Sequence, residues 1–172
     1  AELIRPILRG RDIKRYGYNW DNLWLINTHN GIKGVKPRIN INEYSAVKAY
    51  LDQHWDKISK RADKGDTPYN LRNCAYMEDF YKPKIVWGNL NLSAAYSIAA
   101  DGIFVNAPCP MIVPASKYLL AILNSKVADY YIRQLGVTRN GGYFEYKPMF
   151  VENLPVPNNI DCKTIEYLEA CV

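Results

Sequence analysis

Apolar residues recur at spacings of three and four from Tyr44 to Ala62, where Tyr44, Val47, Leu51, Trp55, Ile58 and Ala62 share one side of a helix. Asn42 stands at the expected N-cap and Gly65 lies past the end. A second stripe, Leu119, Leu120, Leu123, Val127, Tyr130 and Tyr131, predicts a helix capped by Ser116 and running to Leu135, with that face toward the core and Gly136 as its stop. Between the two helices the pattern shortens. Lys84 to Trp87 reads as a buried strand, and Ala94 to Ala99 and Ile103 to Asn106 read as two more, joined around the hairpin-favouring pair Asp101-Gly102. Leu23 to Ile26 is an earlier strand candidate, and Ile160 to Val172 starts a last helix. Short strands with amphipathic helices indicate an α+β fold, a mixed and largely antiparallel sheet with helices packed on it.

Polar segments separate these elements. THNGIKGVKPR is a loop by its glycines and proline, and it carries Lys33, Lys36 and Arg38 with no carboxylate near in sequence. These cations suit either solvated loop positions or phosphate contacts beside a groove. DKGDTPYNLRNCAYMEDF interrupts with turn chemistry, and Asn106-Ala107-Pro108-Cys109 reads as a turn. The run RNGGYFEYK, Arg139 to Lys147, combines cations, rings and flexible backbone. Arg139 and Lys147 can reach phosphate oxygens or guanine edges, Tyr143 and Tyr146 offer flat faces or hydroxyls, and Gly141 and Gly142 permit close approach. That composition suits a loop held against DNA; a basic aromatic hairpin tip has the same composition.

The chain has 172 residues, 48% of them hydrophobic, enough to bury a real core as one domain with a small appendage. Fourteen Tyr and four Trp are many for this length; core and surface packing accounts for most of them, and such amphipathic rings also recur at wet interfaces. The net charge of +5 is uneven: residues 1–38 hold eight Lys/Arg and three Asp/Glu, residues 151–172 one and four. A front segment of that sign favours an anionic partner. The four cysteines, Cys74, Cys109, Cys162 and Cys171, are scattered without metal-ligand spacing, which speaks against a zinc site. With no signal peptide and no apolar run near twenty residues, a soluble, cytoplasmic chain is expected, with no membrane partner. It opens AELIRPILRG without an initiator Met, as a piece of a longer polypeptide would.

Catalytic signatures are sparse. A methyltransferase core needs a glycine-rich cofactor loop after a strand and an Asn/Asp-Pro-Pro-aromatic loop for the flipped base, and the sequence has neither. Glu145-Tyr146-Lys147 has the E-x-K spacing that, with Asp129, could hold Mg²⁺ in a nuclease, although Asp129 falls on a predicted helix instead of a strand end. No G-x-S-x-G, P-loop or zinc-protease motif is present, and two histidines leave little for acid-base work; His54 reads as a surface residue. No catalytic residue is expected in this chain.

Four stretches in order, LRGRDIKRY (8–16), NEYSAVKAYLDQH with KGDTPYNLRNCAY (42–76), LLAILNSKVADYYIRQLG (119–136) and GGYFEYKPMFVENLPVP (141–157), resemble the TaqI-like C-terminal specificity domain. That module belongs to adenine-specific DNA methyltransferases and single-chain type IIG restriction-modification enzymes. The resemblance implies a double-stranded DNA recognition domain over 1–157, with 158–172 starting a C-terminal helix. An N-terminal methyltransferase domain of the same chain would precede it, carrying S-adenosylmethionine and the adenine-N6 chemistry. Some members add a nuclease domain, which would bring Mg²⁺. On the matched loop the implied DNA contacts are Arg139, Asn140, Gly141, Gly142, Tyr143 and Lys147. Arg72 and Asn73 form a second set, since Arg pairs bidentately with guanine and Asn with adenine, unless Arg72 is tied to Glu78 or Asp79 in a turn. Lys33, Lys36 and Arg38 form a backbone-contact set. Arg9 and Arg11 serve either to anchor the opening strand or to bridge to the methyltransferase domain. A different class of reading remains, a protein-interaction module whose aromatic surface docks on a partner.

Overall fold

The segment Lys84–Trp87 is the central strand of an antiparallel sheet in a computed structural model of the chain, which describes residues 2–172. In chain order the strands are β1 (Ile4–Leu8), β2 (Ile13–Lys14), β3 (Gly17–Tyr18), β4 (Trp24–Ile26), β5 (Lys84–Trp87), β6 (Leu90–Asn91), β7 (Tyr96–Ala99), β8 (Phe104–Val105), β9 (Met111–Ile112), β10 (Thr138–Arg139) and β11 (Tyr143–Glu145). The α-helices are α1 (Ser45–Asp52), α2 (Trp55–Ser59), α3 (Lys117–Leu123), α4 (Lys126–Leu135), α5 (Pro148–Val151) and α6 (Cys162–Ala170). This is the expected α+β class, built as several small sheets where a single sheet was expected. Contacts divide the chain into two compact units: unit 1 is Ala1–Arg5 with Trp24–Met77, and unit 2 is Pro6–Leu23 with Glu78–Val172.

Unit 2 is organised by hydrophobic burial. β5 pairs antiparallel with β7 on one side and β9 on the other, so that Ile85 lies opposite both Ile98 and Ile112. Its four residues are all buried because both faces of the strand are covered. Ile85, Trp87, Tyr96, Leu120, Leu123, Ile132 and Tyr146 form one core cluster. Each such side chain, fully buried, contributes about 1.5–3 kcal/mol before entropy is counted. Two polar side chains that enter the core are matched, whereas the buried Tyr96 hydroxyl has no hydrogen-bond partner. Trp87 Nε1–H donates to the Tyr146 carbonyl at 2.6 Å, and the Lys84 ammonium donates to the Phe80, Lys82 and Ala100 carbonyls at 2.9, 3.1 and 3.0 Å. A second antiparallel sheet runs β10-β11-β6, β2 and β3 make a small ribbon, and β8 pairs parallel with the end of β1. Helix α6, capped by the Asp161 carboxylate on Thr164 N–H, packs on α3.

Three readings of the apolar pattern need correction in unit 2 and unit 1. The expected continuous helix to Leu135 is two helices. The Asn124 amide accepts from Tyr96 N–H at 3.1 Å and donates to Tyr96 C=O at 2.9 Å, which ends α3, and the Ser125 hydroxyl caps α4 by accepting from Ala128 N–H at 3.0 Å. The break resets the helical phase: Ala128 and Ile132 turn inward, while Val127 and Tyr130 are 78% and 68% exposed and Tyr131 is also exposed. The stripe from Tyr44 is likewise split at His54, which stays exposed; Asn40, not Asn42, supplies a capping side chain, and it caps a short 3₁₀ turn before α1. Asp101-Gly102 is a turn with Gly102 at φ +76°, yet it joins no hairpin, because β7 is claimed by β5 and β8 by β1. Asn106 to Cys109 closes as a turn through Cys109 N–H to Asn106 C=O at 2.8 Å, as read from the sequence.

Unit 1 is held differently. Among the described residues its buried apolar side chains are Leu3, Ile41 and Met77, beside buried Asn27, Thr28, His29 and Asn70. Asn70, 1% exposed, donates from its amide to the Ile39 carbonyl at 3.0 Å and accepts from the Thr67 hydroxyl at 2.6 Å. Thr28 donates to the Tyr69 carbonyl at 2.6 Å, and its own carbonyl accepts from Leu71 N–H at 2.8 Å. Helices α1 and α2 bury no residue completely. Among the described residues no helix is long and apolar enough to cross a membrane.

Candidate nucleic-acid interface

The loop after β4 folds back on itself through Ile32 N–H to Lys36 C=O at 2.8 Å and Lys36 N–H to Ile32 C=O at 2.9 Å. Gly31 allows this: it sits at φ +77°, and a Cβ there would lie 2.7 Å from the Arg38 nitrogen. The loop walls an open cleft of about 890 Å³ in unit 1 that brings Lys33, Lys36 and Arg38 together with Asn73 from the YNLRN segment. Asn30 joins the two walls, donating to Asp66 at 3.0 Å and to the Asn73 amide oxygen at 2.7 Å. Arg38 meets Asp66 at 3.1 Å, and the Asp66 carboxyl is held below its ordinary range by the Asn30 hydrogen bond first and the Arg38 cation second. The carboxylate that sequence distance hid from Arg38 therefore arrives from the next segment. Arg72 also has an acid, Asp63 at 3.1 Å, in place of the Glu78 or Asp79 considered from sequence, and both partners are mostly exposed. Lys33 projects into solvent, and among the described residues no ion pair includes it.

In unit 2 the run Arg139 to Lys147 is a hairpin in which Arg139 lies opposite Tyr143 and Thr138 opposite Phe144. Asn140, Gly141 and Gly142 make its exposed tip, with both glycines near φ +80° (78° and 80°), a region other residues rarely enter. Glu145, 4% exposed in its side chain, is gripped by both cations: Arg139 through one carboxylate oxygen, with Nε at 2.7 Å, and Lys147 through the other at 2.8 Å. Lys147 and then Arg139 hold its carboxyl below the usual glutamate range. Tyr143 is 42% exposed and can meet a ligand, whereas Tyr146 is fully buried, its hydroxyl donating to Asp129 at 2.5 Å. Tyr146 is thus a core residue and not a contact ring. Asp129 further accepts from Ala94 N–H at 2.8 Å and pairs with Arg133 at 3.0 Å. Both acids of the E-x-K reading are already matched by donors of the fold, and among the described residues no three His, Cys, Asp or Glu side chains gather to hold a metal ion.

Residues 5–156 match the model of the TaqI-like C-terminal specificity domain. The chain belongs to that family. The specificity domain is 23% identical over 164 residues to the type II methyltransferase M.BstVI of Geobacillus stearothermophilus, a match that takes in 91% of this chain and 28% of that protein. It shares its fold with the type IIG restriction endonuclease BpuSI at a TM-score of 0.62 and 17% identity, over 98% of this chain and 21% of that one. In both cases the specificity domain spans less than a third of its relative's length.

The structure brings Lys33, Lys36, Arg38 and Asn73 of the specificity domain to one cleft, and Arg139, Asn140, Gly141, Gly142, Tyr143 and Lys147 to one hairpin. Sequence reasoning missed Asn30 and Asp66, which tie the cleft together across distant segments. The only local signal was the density of Asn and Asp in two turn-rich stretches, the composition that hydrogen-bonds neighbouring backbone and side chains.

Proposed function

We propose that the specificity domain recognises double-stranded DNA in a sequence-specific manner for a restriction-modification protein whose methyltransferase part modifies adenine at N6, in the single-chain manner of type IIG enzymes. The observation that carries this is the gathering of Lys33, Lys36, Arg38 and Asn73 in one open cleft of a chain that belongs to the TaqI-like specificity family. The cations neutralise phosphates and set the register, a sequence-independent contribution that weakens with salt. Asn73, with Arg72 beside it, and the Arg139 to Lys147 hairpin supply the geometry for base edges, each good contact being worth about 1–3 kcal/mol of discrimination. On this reading S-adenosylmethionine belongs to a methyltransferase domain of the same protein, which is also this domain's partner, and Mg²⁺ to a nuclease domain where one exists, in keeping with the family and its methyltransferase relative.

The test is retention of the chain on a randomised duplex pool at low and moderate salt, followed by sequencing. An enriched motif that survives higher salt supports the proposal. Retention without enrichment reduces it to phosphate binding. No retention even at low salt favours docking on a protein through exposed aromatics such as Tyr50 and Trp55 of unit 1, 51% and 43% exposed.

A further inference from the structure

Arg11, Lys14, Asn89 and Tyr143 line a second open cleft, of about 470 Å³, within unit 2. The sequence left Arg9 and Arg11 equivalent, and the structure separates them. Arg9 is consumed by Asp12 at 2.9 Å and Asp21 at 2.5 Å, so it anchors the turn after β1. Arg11 is exposed, and among the described residues no carboxylate lies within salt-bridge distance of it. Lys14 is held next to it by donating to the Arg11 carbonyl at 2.7 Å, which sets two cations on one wall. Leu90 and Asn91 of β6 also line the cleft, and because Asn91 lies opposite Phe144 and Leu90 opposite Glu145, β6 fixes the hairpin that carries Tyr143 beside it.

Asn89 stands immediately before β6. Its backbone carbonyl accepts from Tyr146 N–H at 2.7 Å, which locks its position, while its side-chain Oδ1 is buried with no hydrogen-bond partner. An amide oxygen withdrawn from water without a donor is disfavoured, and a donor arriving with a ligand removes the penalty. Cys109 also lines the cleft, but burial first, and Asp12 second, push its thiol up to about 11, so at neutral pH it is no nucleophile. The cleft therefore offers two cations, an exposed ring and an unmatched amide.

We infer that this cleft is a second DNA-contact site, in which Arg11 and Lys14 take a phosphodiester and Asn89, its amide turned outward by rotation about its side-chain bonds, reads the edge of the adjoining base against the face of Tyr143. The inference rests on the DNA-recognition reading and assigns specificity to a residue outside the hairpin and outside the cleft of unit 1. Asn fits the role because its amide presents a donor and an acceptor side by side, the pattern that adenine matches in the major groove.

The 172-residue chain and its Arg11→Ala, Asn89→Ala and Lys33→Ala variants are compared by duplex selection and by anisotropy on the retained duplexes over a salt series. Arg11→Ala should weaken binding to all duplexes alike and lower the salt slope by about 0.9. Asn89→Ala should keep the wild-type slope and lose about tenfold of the preference at one base pair. Thermal unfolding of both should match the wild type, since one side chain is in solvent and the other lacks a partner for its Oδ1. Wild-type behaviour of both variants, alongside weakening by Lys33→Ala, overturns this inference and leaves the DNA reading standing. Wild-type protein that binds no duplex even at low salt overturns both. Weakening by Arg11→Ala with undiminished selectivity in Asn89→Ala overturns the assignment of Asn89.

Discussion

Unit 1 buries asparagine, threonine and histidine where unit 2 buries isoleucine, tryptophan and tyrosine, and the two consequently answer to different forces. In unit 2, β5 is covered on both faces and its neighbours interlock, so stability comes from area removed from water. In unit 1 the side chains of Thr28, Asn30, Thr67 and Asn70 hold loops to loops, and the surface they support is a cationic cleft. Hydrogen bonds are directional and burial is not. A unit held by matched polar groups can fix a loop geometry with few apolar residues, at the cost that each lost partner leaves a buried group unmet. That division suits a recognition domain, in which one part holds its shape while another presents polar atoms to a ligand.

The largest expected effect separates the two units by stability. Ile85→Ala should cost about 2–5 kcal/mol, the usual range for emptying a packed core site, whereas Leu51→Ala on the half-buried face of α1 should cost about 1 kcal/mol. Urea unfolding of both variants measures this, and the reverse order would break the comparison. Lys84→Met probes one of the buried polar residues of the apolar unit: it leaves three carbonyls without their donor and should cost about 2–3 kcal/mol. It should also carry a pH signature. Burial, opposed by Asp101, pulls the Lys84 ammonium down to about 8 from 10.5. Between those values the unfolded chain binds more protons than the folded one, so wild-type stability should rise with pH relative to Lys84→Met across that window and be level outside it. A difference that is flat from pH 7 to 11 would show that the three carbonyls hold the ammonium charged throughout.

These contrasts explain what could be read in advance. β5 was legible to the residue, because three consecutive apolar residues, two β-branched and one aromatic, after Lys84 have one good use. Ser116 was legible as a cap because capping is local. The helix break at Asn124 was not, since its cause is a pair of bonds to Tyr96, distant in sequence; nor was the partner of β8, which is β1 and not the adjacent β7. The cation sets were visible as residue types, but the pairing of Arg38 with Asp66 and of Arg72 with Asp63 depends on how unit 1 folds. Polar networks leave little periodicity in a sequence, so unit 1 was the harder half to read.

A smaller effect tests the polar network itself. Asn70→Ala removes a donor to Ile39 C=O and an acceptor for Thr67, and should cost about 2 kcal/mol. Amide exchange should quicken at Ile39 and Leu71, whose N–H groups are bonded to His29 and Thr28 carbonyls, while Ile85 and Val86 keep their protection. Equal acceleration in both units would mean that they open together, and the comparison of two separately held structures would fail.

The smallest effect on stability, and the sharpest on function, lies in how each unit deploys charge toward DNA. Lys33 belongs to no ion pair among the described residues, so Lys33→Ala should change stability by less than about 0.5 kcal/mol and lower the salt slope of duplex binding by about 0.9. In unit 2 the cations share a carboxylate, and the expectation inverts: Glu145→Gln should tighten binding to every duplex, most at low salt, while selectivity falls because Arg139 and Lys147 lose the group that orients them. Since Lys147 and Arg139 keep the Glu145 carboxyl below its ordinary 4.5, it remains ionised through neutral pH, and the gain from Glu145→Gln should not vary between about pH 6 and 8. Weaker binding in Glu145→Gln would mean that a fixed geometry of the two cations matters more than their net charge, and would make the hairpin a reader of base edges before it is a binder of phosphate.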